Sequence, residues 1–308
     1  MRKAWYLGLG GLVIVNLLVW VAVFSYTGDE LTIIACDVGQ GDAFLVTRRD
    51  FQILIDGGPN NKVLQCLSGN MPFWDRVVDV VVLSHPQKDH FAGLIDVFQN
   101  YQVNYFMTTP LDSGSQEWRV LEDLVGGGGV RVINPLSGQK YRSGLIYLDI
   151  LHPSEAFLAE NLTDKNNDIS LKKINNSAGV LGAYSTKKDP NEFSVALILS
   201  YKEFDALFTG DVGPEISDVL AEEYISNGSR SIEYIKIPHH GSKNGLTQSL
   251  LDAVKPKIAV ISVGGGNSYG HPHKEIISLL SDRDIKTLRT DRLGEVGIVT
   301  NGEAWWVK

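Results

Sequence analysis

The sequence predicts an α/β protein, a four-layer αββα sandwich preceded by one N-terminal transmembrane helix. Three observations carry this expectation. An uncharged run of 25 residues, 4–28, opens the chain. Behind it, strand-like segments come in two batches, each interleaved with helix-like segments, which is the pattern of two packed sheets with helices outside. The 308 residues are 44% hydrophobic, enough apolar material for one full-sized core.

The opening run follows Arg2 and Lys3, and the next charge is Asp29. Its apolar heart, 7–24, is long enough to cross ~30 Å of hydrocarbon as a helix. Trp5, Tyr6 and Tyr26 stand where interfacial aromatics stand. A cleaved signal peptide has a shorter apolar core, ~7–15 residues, and a small-x-small site; 21–24 offers no such site. The expected organisation is therefore an anchor over 1–28 and a single domain over 29–308. The basic residues before the span put that domain on the outer face of the cell membrane.

Residues 31–36, 43–47 and 52–55 alternate as strands do between Gly- or Asp-containing turns. Helical spacing is expected over 61–67. Residues 77–83 are nearly continuous Val and Leu, which marks a buried central strand. Helices follow over 91–100 and 115–124, the latter ended by four glycines. A strand is expected over 145–151. Residues 154–190 are rich in Asn, Lys, Ser and Asp with little apolar periodicity, and predict a long mobile insertion. Order returns with strands 193–201 and 205–208, helix 215–224, strand 232–237, helix 246–254, strand 258–263 and helix 274–280. A hairpin, 296–300 with 304–307, closes the chain.

A net charge of -8 excludes a surface that is basic all round, so a polyanion such as DNA would have to be held locally. Cys36 and Cys66 read first as two small buried hydrophobes; one disulfide is the alternative outside the cytoplasm. Nothing in the sequence marks an oligomeric state.

The chemistry lies at strand ends. His85, Asp89 and His90 fall within six residues directly after the central strand. A lone His is more often a packed core residue, but three such donors at one strand end suit a borderline cation. Asp211 follows the strand 205–208, where Gly-Asp alone would be an ordinary turn. His239 and His240 follow the strand 232–237, and His271 follows a glycine-rich stretch. A common metal accounts for all three strand ends. His152, before Pro153, reads as a strand-end surface His.

With those residues in view, 31–308 resembles the soluble hydrolase domain of ComEC-type competence proteins, a branch of the metallo-β-lactamase superfamily. The matching pieces are 37–43 (DVGQGDA), 54–58 (LIDGG), 83–90, 209–211 (TGD), 238–242 (PHHGS) and 267–272, in the family's order. The resemblance covers the hydrolase domain and not the multi-span channel of those proteins, and a single span is expected. The resemblance implies a metal site of Asp89, His90, Asp211 and His240, with Asp89 also serving catalysis. His85 belongs to a neighbouring site weakened by Gln87 and by Asn at 191, within 191–194, where a third His is expected. Gln87, His239 and Asp56 are implied as weak ligands or supports of the ligands. Asp37, Gln40, Asp42 and Ser242 are implied as substrate contacts, and His271 and Lys243 as groups that hold the scissile bond or protonate the leaving oxygen. One or two Zn or Mn ions are expected, with hydrolysis by a metal-activated water.

The function so implied is a membrane-anchored phosphodiesterase or nuclease. Two alternatives stand beside it: an envelope esterase or phosphoesterase with a small or lipid-linked substrate, and a non-catalytic, membrane-tethered metal-binding module.

Overall fold

The computed structural model describes all residues except 1, 26–27, 165–178 and 227–231. Helix α1 (Arg2–Ser25) precedes the domain. Its described apolar side chains, Leu9, Leu12, Ile14, Leu17 and Leu18 among them, are more than half exposed. Among the described residues, no helix is long and apolar enough to cross a membrane.

Strands β1 (Leu31–Ala35), β2 (Phe44–Arg48) and β3 (Phe51–Ile55) run as an antiparallel meander. After α2 (Lys62–Asn70), the chain adds β4 (Val77–Val82), α3 (Lys88–Asn100), β5 (Gln102–Met107), α4 (Gln116–Gly127) and β6 (Arg131–Ile133), with β3 to β6 parallel. Strands β7 (Lys140–Ser143) and β8 (Ile146–His152) begin the second sheet. Helix α5 (Glu155–Asn161) and the short pair β9 (Thr163–Asp164) and β10 (Tyr184–Ser185) follow. The second sheet continues with β11 (Ala196–Tyr201), β12 (Phe204–Phe208), α6 (Pro214–Ser226), β13 (Tyr234–Lys236), α7 (Gln248–Val254), β14 (Ile258–Ile261), α8 (Lys274–Ser281) and β15 (Lys286–Arg289). After α9 (Thr290–Leu293), β16 (Val296–Thr300) and β17 (Trp305–Val307) return to the first sheet, where β16 pairs with β1. The orders are β17-β16-β1-β2-β3-β4-β5-β6 and β15-β14-β13-β12-β11-β8-β7.

Side-chain alternation builds the layers. Ile33, Ala35, Val80 and Val82 of the first sheet share one core with Phe204, Ala206, Phe208 and Val260 of the second. The intervening residues Ile34, Val78, Val81 and Leu83 pack outward under α2, α3 and α4. Leu207, Ile235, Ala259 and Ile261 pack outward under α6, α7 and α8. This is the expected αββα layering.

Four differences from the sequence reading have physical causes. Helix α3 starts at Lys88 rather than 91, so Asp89 and His90 lie in its first turn, where the positive end of the helix favours a carboxylate. Residues 154–190, expected as an insertion without structure, contain α5, capped by the Ser154 hydroxyl, and the β9–β10 pair; 165–178 lie outside the described residues. Cys36 and Cys66, read first as separate thiols, form a disulfide with Cα atoms 5.7 Å apart. His152, expected at the surface, is buried and donates from Nε2 to the Glu192 carbonyl at 2.8 Å.

Candidate metal centre

The site forms where strands of both sheets end at the same rim. From the first sheet, β4 leads through Ser84 and His85 into α3, which presents Asp89 and His90. The residue 37–42 loop lies directly on α3, with Asp42 N donating to Asp89 O at 3.2 Å. A Cβ at Gly41 would stand 2.3 Å from that same carbonyl oxygen, so this approach requires glycine. From the second sheet, β12 leads to Asp211 and β13 to a tight turn, Pro238–Gly241. His239 and His240 both take left-handed backbone there, with φ of 51° and 53°. Such strain costs about 1–3 kcal/mol per residue and persists where the surroundings enforce it.

Three imidazoles converge with their outer nitrogens free. His90 Nδ1 donates to Asp56 Oδ2 at 2.8 Å, and His240 Nδ1 donates to the Ser262 carbonyl at 2.9 Å. His85 Nδ1 lies 3.0 Å from Ser84 Oγ and 3.3 Å from Ser194 Oγ. Each Nε2 of His85, His90 and His240 is buried and has no hydrogen-bond partner. Buried polar atoms left bare are costly and rare. Asp211 Oδ2 lies 3.3 Å from both His90 Nε2 and His240 Nε2, and Asp89 Oδ2 lies 3.4 Å from His240 Nε2. Donor atoms of His85, His90 and Asp211, and of Asp89, His90 and His240, fall within 4.8 Å of one another. Mixed imidazole and carboxylate donors at this spacing fit a divalent cation.

Beneath the donors lies a cation of the chain's own. Lys236, fully buried on β13, donates to the Gly210 carbonyl at 2.5 Å and to Asp211 Oδ1 at 2.9 Å, and forms an ion pair with Asp42. The charges shape one another. Burial opposes ionisation of Asp211, but His240, Lys236 and His90 hold its carboxyl well below the usual range. Burial likewise opposes a charge on His240, and Asp211 and Asp42 overcome it, pushing its pKa up to about 10. His85 goes the other way, down to about 3, through burial and then repulsion from His90.

The remaining expected residues divide. Asp56 sits under the donors, accepting from Ser84 N at 2.7 Å and Ser84 Oγ at 2.8 Å as well as from His90. Gln87 stands at the N-terminal boundary of α3 without capping it and turns away, its amide 3.4 Å from Asp189 Oδ1. His239 stands beside the site and binds Asp211 Oδ1 only through its backbone N–H, at 3.2 Å. Asp42, expected to meet substrate, is wholly buried, because its loop is pinned inside the rim and its charge is matched by Lys236. Ser242 is also buried, and its hydroxyl accepts from Asn244 N at 3.2 Å, which closes a turn. Lys243 and Asp37 are exposed, and Gln40 accepts from Gly264 N at 3.2 Å. His271 lines the mouth, its ring 6.5 Å from that of His240 and its Nδ1 without a partner. Burial and the neighbouring His240, His239 and His273 hold it down to about 4. Lys236, Ser84 and Ser194 are not among the residues the sequence singles out. The Lys-Ile-Pro-His-His order places Lys236 on the strand that delivers His240, which is the available signal.

A family model described as the metallo-beta-lactamase superfamily matches residues 36–265, which include every donor named above. The chain belongs to this superfamily. Its members are generally hydrolases that bind divalent metal ions, often zinc. Competence protein ComA of Neisseria gonorrhoeae is 25% identical over 270 residues, 86% of this chain and 32% of that protein. ComE operon protein 3 of Bacillus subtilis is 32% identical over 108 residues, 34% of this chain and 13% of that protein. The chain thus spans less than a third of the length of these relatives. Among solved structures, the metallo-beta-lactamase fold protein YhfI from Bacillus subtilis superposes with a TM-score of 0.50 at 12% identity, covering 84% of this chain and 95% of that one. Zn(2+)-bound PqqB from Methylobacterium extorquens gives 0.50 at 11% identity, covering 84% and 97%. At such identities these two show the fold alone.

Proposed function

We propose that the chain is a membrane-anchored, metal-dependent phosphodiesterase acting on DNA outside the cell membrane. The observation that carries this reading is the convergence of three bare imidazole nitrogens with Asp89 and Asp211 at an open rim. His85, His90, His240, Asp89 and Asp211 would hold one or two ions, Zn or Mn. Bound there, the metal supplies Lewis acidity and lowers the pKa of water toward ~7. Asp56 and the Ser262 carbonyl hold the Nδ1 protons of His90 and His240, so that Nε2 is the atom each would turn to a metal, releasing its own proton on binding. His271, neutral at pH 7 and half-buried at the mouth, orients the scissile group by hydrogen bonding. Relatives named for competence support DNA as the substrate, as the sequence resemblance also implies.

The anchor rests on the uncharged run 4–28 and the exposed apolar side chains of α1. The Cys36–Cys66 disulfide suits an oxidising compartment outside the cytoplasm. The same anchor favours a second reading, an esterase or phosphoesterase on a small or lipid-linked substrate.

The test is to purify the full chain in detergent, measure bound metal, and assay single-stranded DNA and bis-p-nitrophenyl phosphate with Mn²⁺ or Zn²⁺. Cleavage of both, lost in Asp89→Ala and His240→Ala, is expected. Turnover of the small ester alone would favour the second reading. Metal binding without turnover would leave a binding module. Resistance to alkaline carbonate extraction tests the anchor.

A further inference from the structure

We propose that Tyr269 is a stacking platform for the base beside the scissile phosphate, which makes an unpaired nucleotide the unit this site recognises. The inference rests on the phosphodiesterase reading and adds the substrate's form to it.

Exposed aromatic residues are common, and exposure alone means little. Tyr269 differs in how it is held. It is 66% exposed, yet its ring is stacked on His271, with centroids 5.7 Å apart and planes 27° apart. His271 in turn lies 5.8 Å from His239 and 6.5 Å from His240. Tyr269 is therefore the outer ring of a row of ring contacts, stacked on His271, which meets His239 edge-on and lies beside the donor His240. The loop carrying it is fixed from within. Asn267 Nδ2 donates to the Gly264 carbonyl at 2.9 Å and to the His271 carbonyl at 2.8 Å, and Asn267 Oδ1 accepts from His271 N at 3.0 Å. Gly264 N donates to Gln40, which ties the loop to residues 37–42 across the rim. An aromatic face held in place binds a partner ring without an ordering cost.

The chemistry of the rim names the partner. The inner end of this row lies beside a cation site suited to phosphate, and the outer end offers an open π face. Lys243, exposed and joined through its backbone N–H to His273 Nδ1 at 3.1 Å, adds a positive charge on the same rim. A nucleotide has a charged end and a flat aromatic end. Bases inside a duplex already stack on their neighbours, so an added platform rewards a single strand. Each base–aromatic stack contributes about 1–3 kcal/mol, which is about 5- to 150-fold in affinity.

The experiment uses the full chain in detergent with Mn²⁺. KM and kcat are measured on oligo(dT) and on the same oligonucleotide with abasic sites flanking the scissile phosphate, for wild type, Tyr269→Ala and Tyr269→Phe. Binding of fluorescein-labelled oligo(dT) is followed by anisotropy. Tyr269→Ala should raise KM and Kd on oligo(dT) at least about 5-fold, the lower end of one base–aromatic stack, and Tyr269→Phe should restore both. The abasic substrate should cost the wild type the same factor, and Tyr269→Ala should add nothing to it. Equal KM and Kd for wild type and Tyr269→Ala on oligo(dT), or equal losses on both substrates, would overturn the platform while leaving the phosphodiesterase reading intact. Failure of the wild type to cleave either oligonucleotide would overturn both.

Discussion

Lys236 and Asp211 divide one carboxylate between two duties. Oδ1 accepts from Lys236 Nζ at 2.9 Å and from His239 N at 3.2 Å, while Oδ2 lies 3.3 Å from the bare Nε2 atoms of His90 and His240. The lysine thereby fixes the plane of the carboxylate and turns one oxygen toward the donors. It also neutralises Asp42, which has no exposure to water.

Lys236→Met should therefore destabilise the fold by about 3–5 kcal/mol, because it strands a buried carboxylate. Urea unfolding reads the loss. A double variant, Asp42→Leu with Lys236→Met, should recover part of it, since removing both charges avoids the unpaired one. An unchanged midpoint for Lys236→Met would show that Asp42 and Asp211 do not depend on it.

Asp56 touches no expected ion, yet it sets the tautomer of His90 and holds Ser84 by two hydrogen bonds. Asp56→Ala should weaken metal affinity about 10- to 100-fold, as loss of a supporting hydrogen bond to a ligand does. Metal titration followed by calorimetry measures this. Retained affinity would mean that packing alone orients His90.

The donors are legible because each follows an apolar strand, and strand ends in a two-sheet sandwich meet at one rim. His85, His90, Asp211 and His240 can be read that way. Lys236 cannot, because a lysine inside a short strand looks like a solvent-facing position; only its pairing with Asp42 and Asp211, far apart in sequence, explains its burial. Asp42 is named from the sequence as a substrate contact, but its burial and its pairing with Lys236 are not legible there. Strands β5 and β6 do not stand out, since Gln102, Asn104 and Arg131 interrupt their apolar pattern. The Cys36–Cys66 pair depends on how α2 packs on β1, which spacing does not reveal.

That disulfide closes a loop with a sequence separation of 30 residues. A cross-link of that length stabilises by about 3–4 kcal/mol, mainly by restricting the unfolded chain. Reduction should lower the melting temperature, and Cys36→Ala with Cys66→Ala should match the reduced wild type. If dithiothreitol leaves the melting temperature unchanged, the bond contributes nothing to stability.

His152 gives the fold an acid limit apart from the metal donors. Burial lowers its pKa to about 4, with the hydrogen bond to the Glu192 carbonyl opposing in part. The ordinary value is about 6.5. Between these two values the unfolded chain binds a proton that the folded chain refuses, so stability falls as pH drops through this window. The difference between the two values corresponds to about 3 kcal/mol, lost by about pH 4 and fully present above about pH 7. His152→Asn removes the titrating group, so the difference in unfolding free energy between variant and wild type should narrow by about that amount over the same window. A difference that stays constant over this range would mean that His152 keeps the same pKa in the folded and unfolded chain.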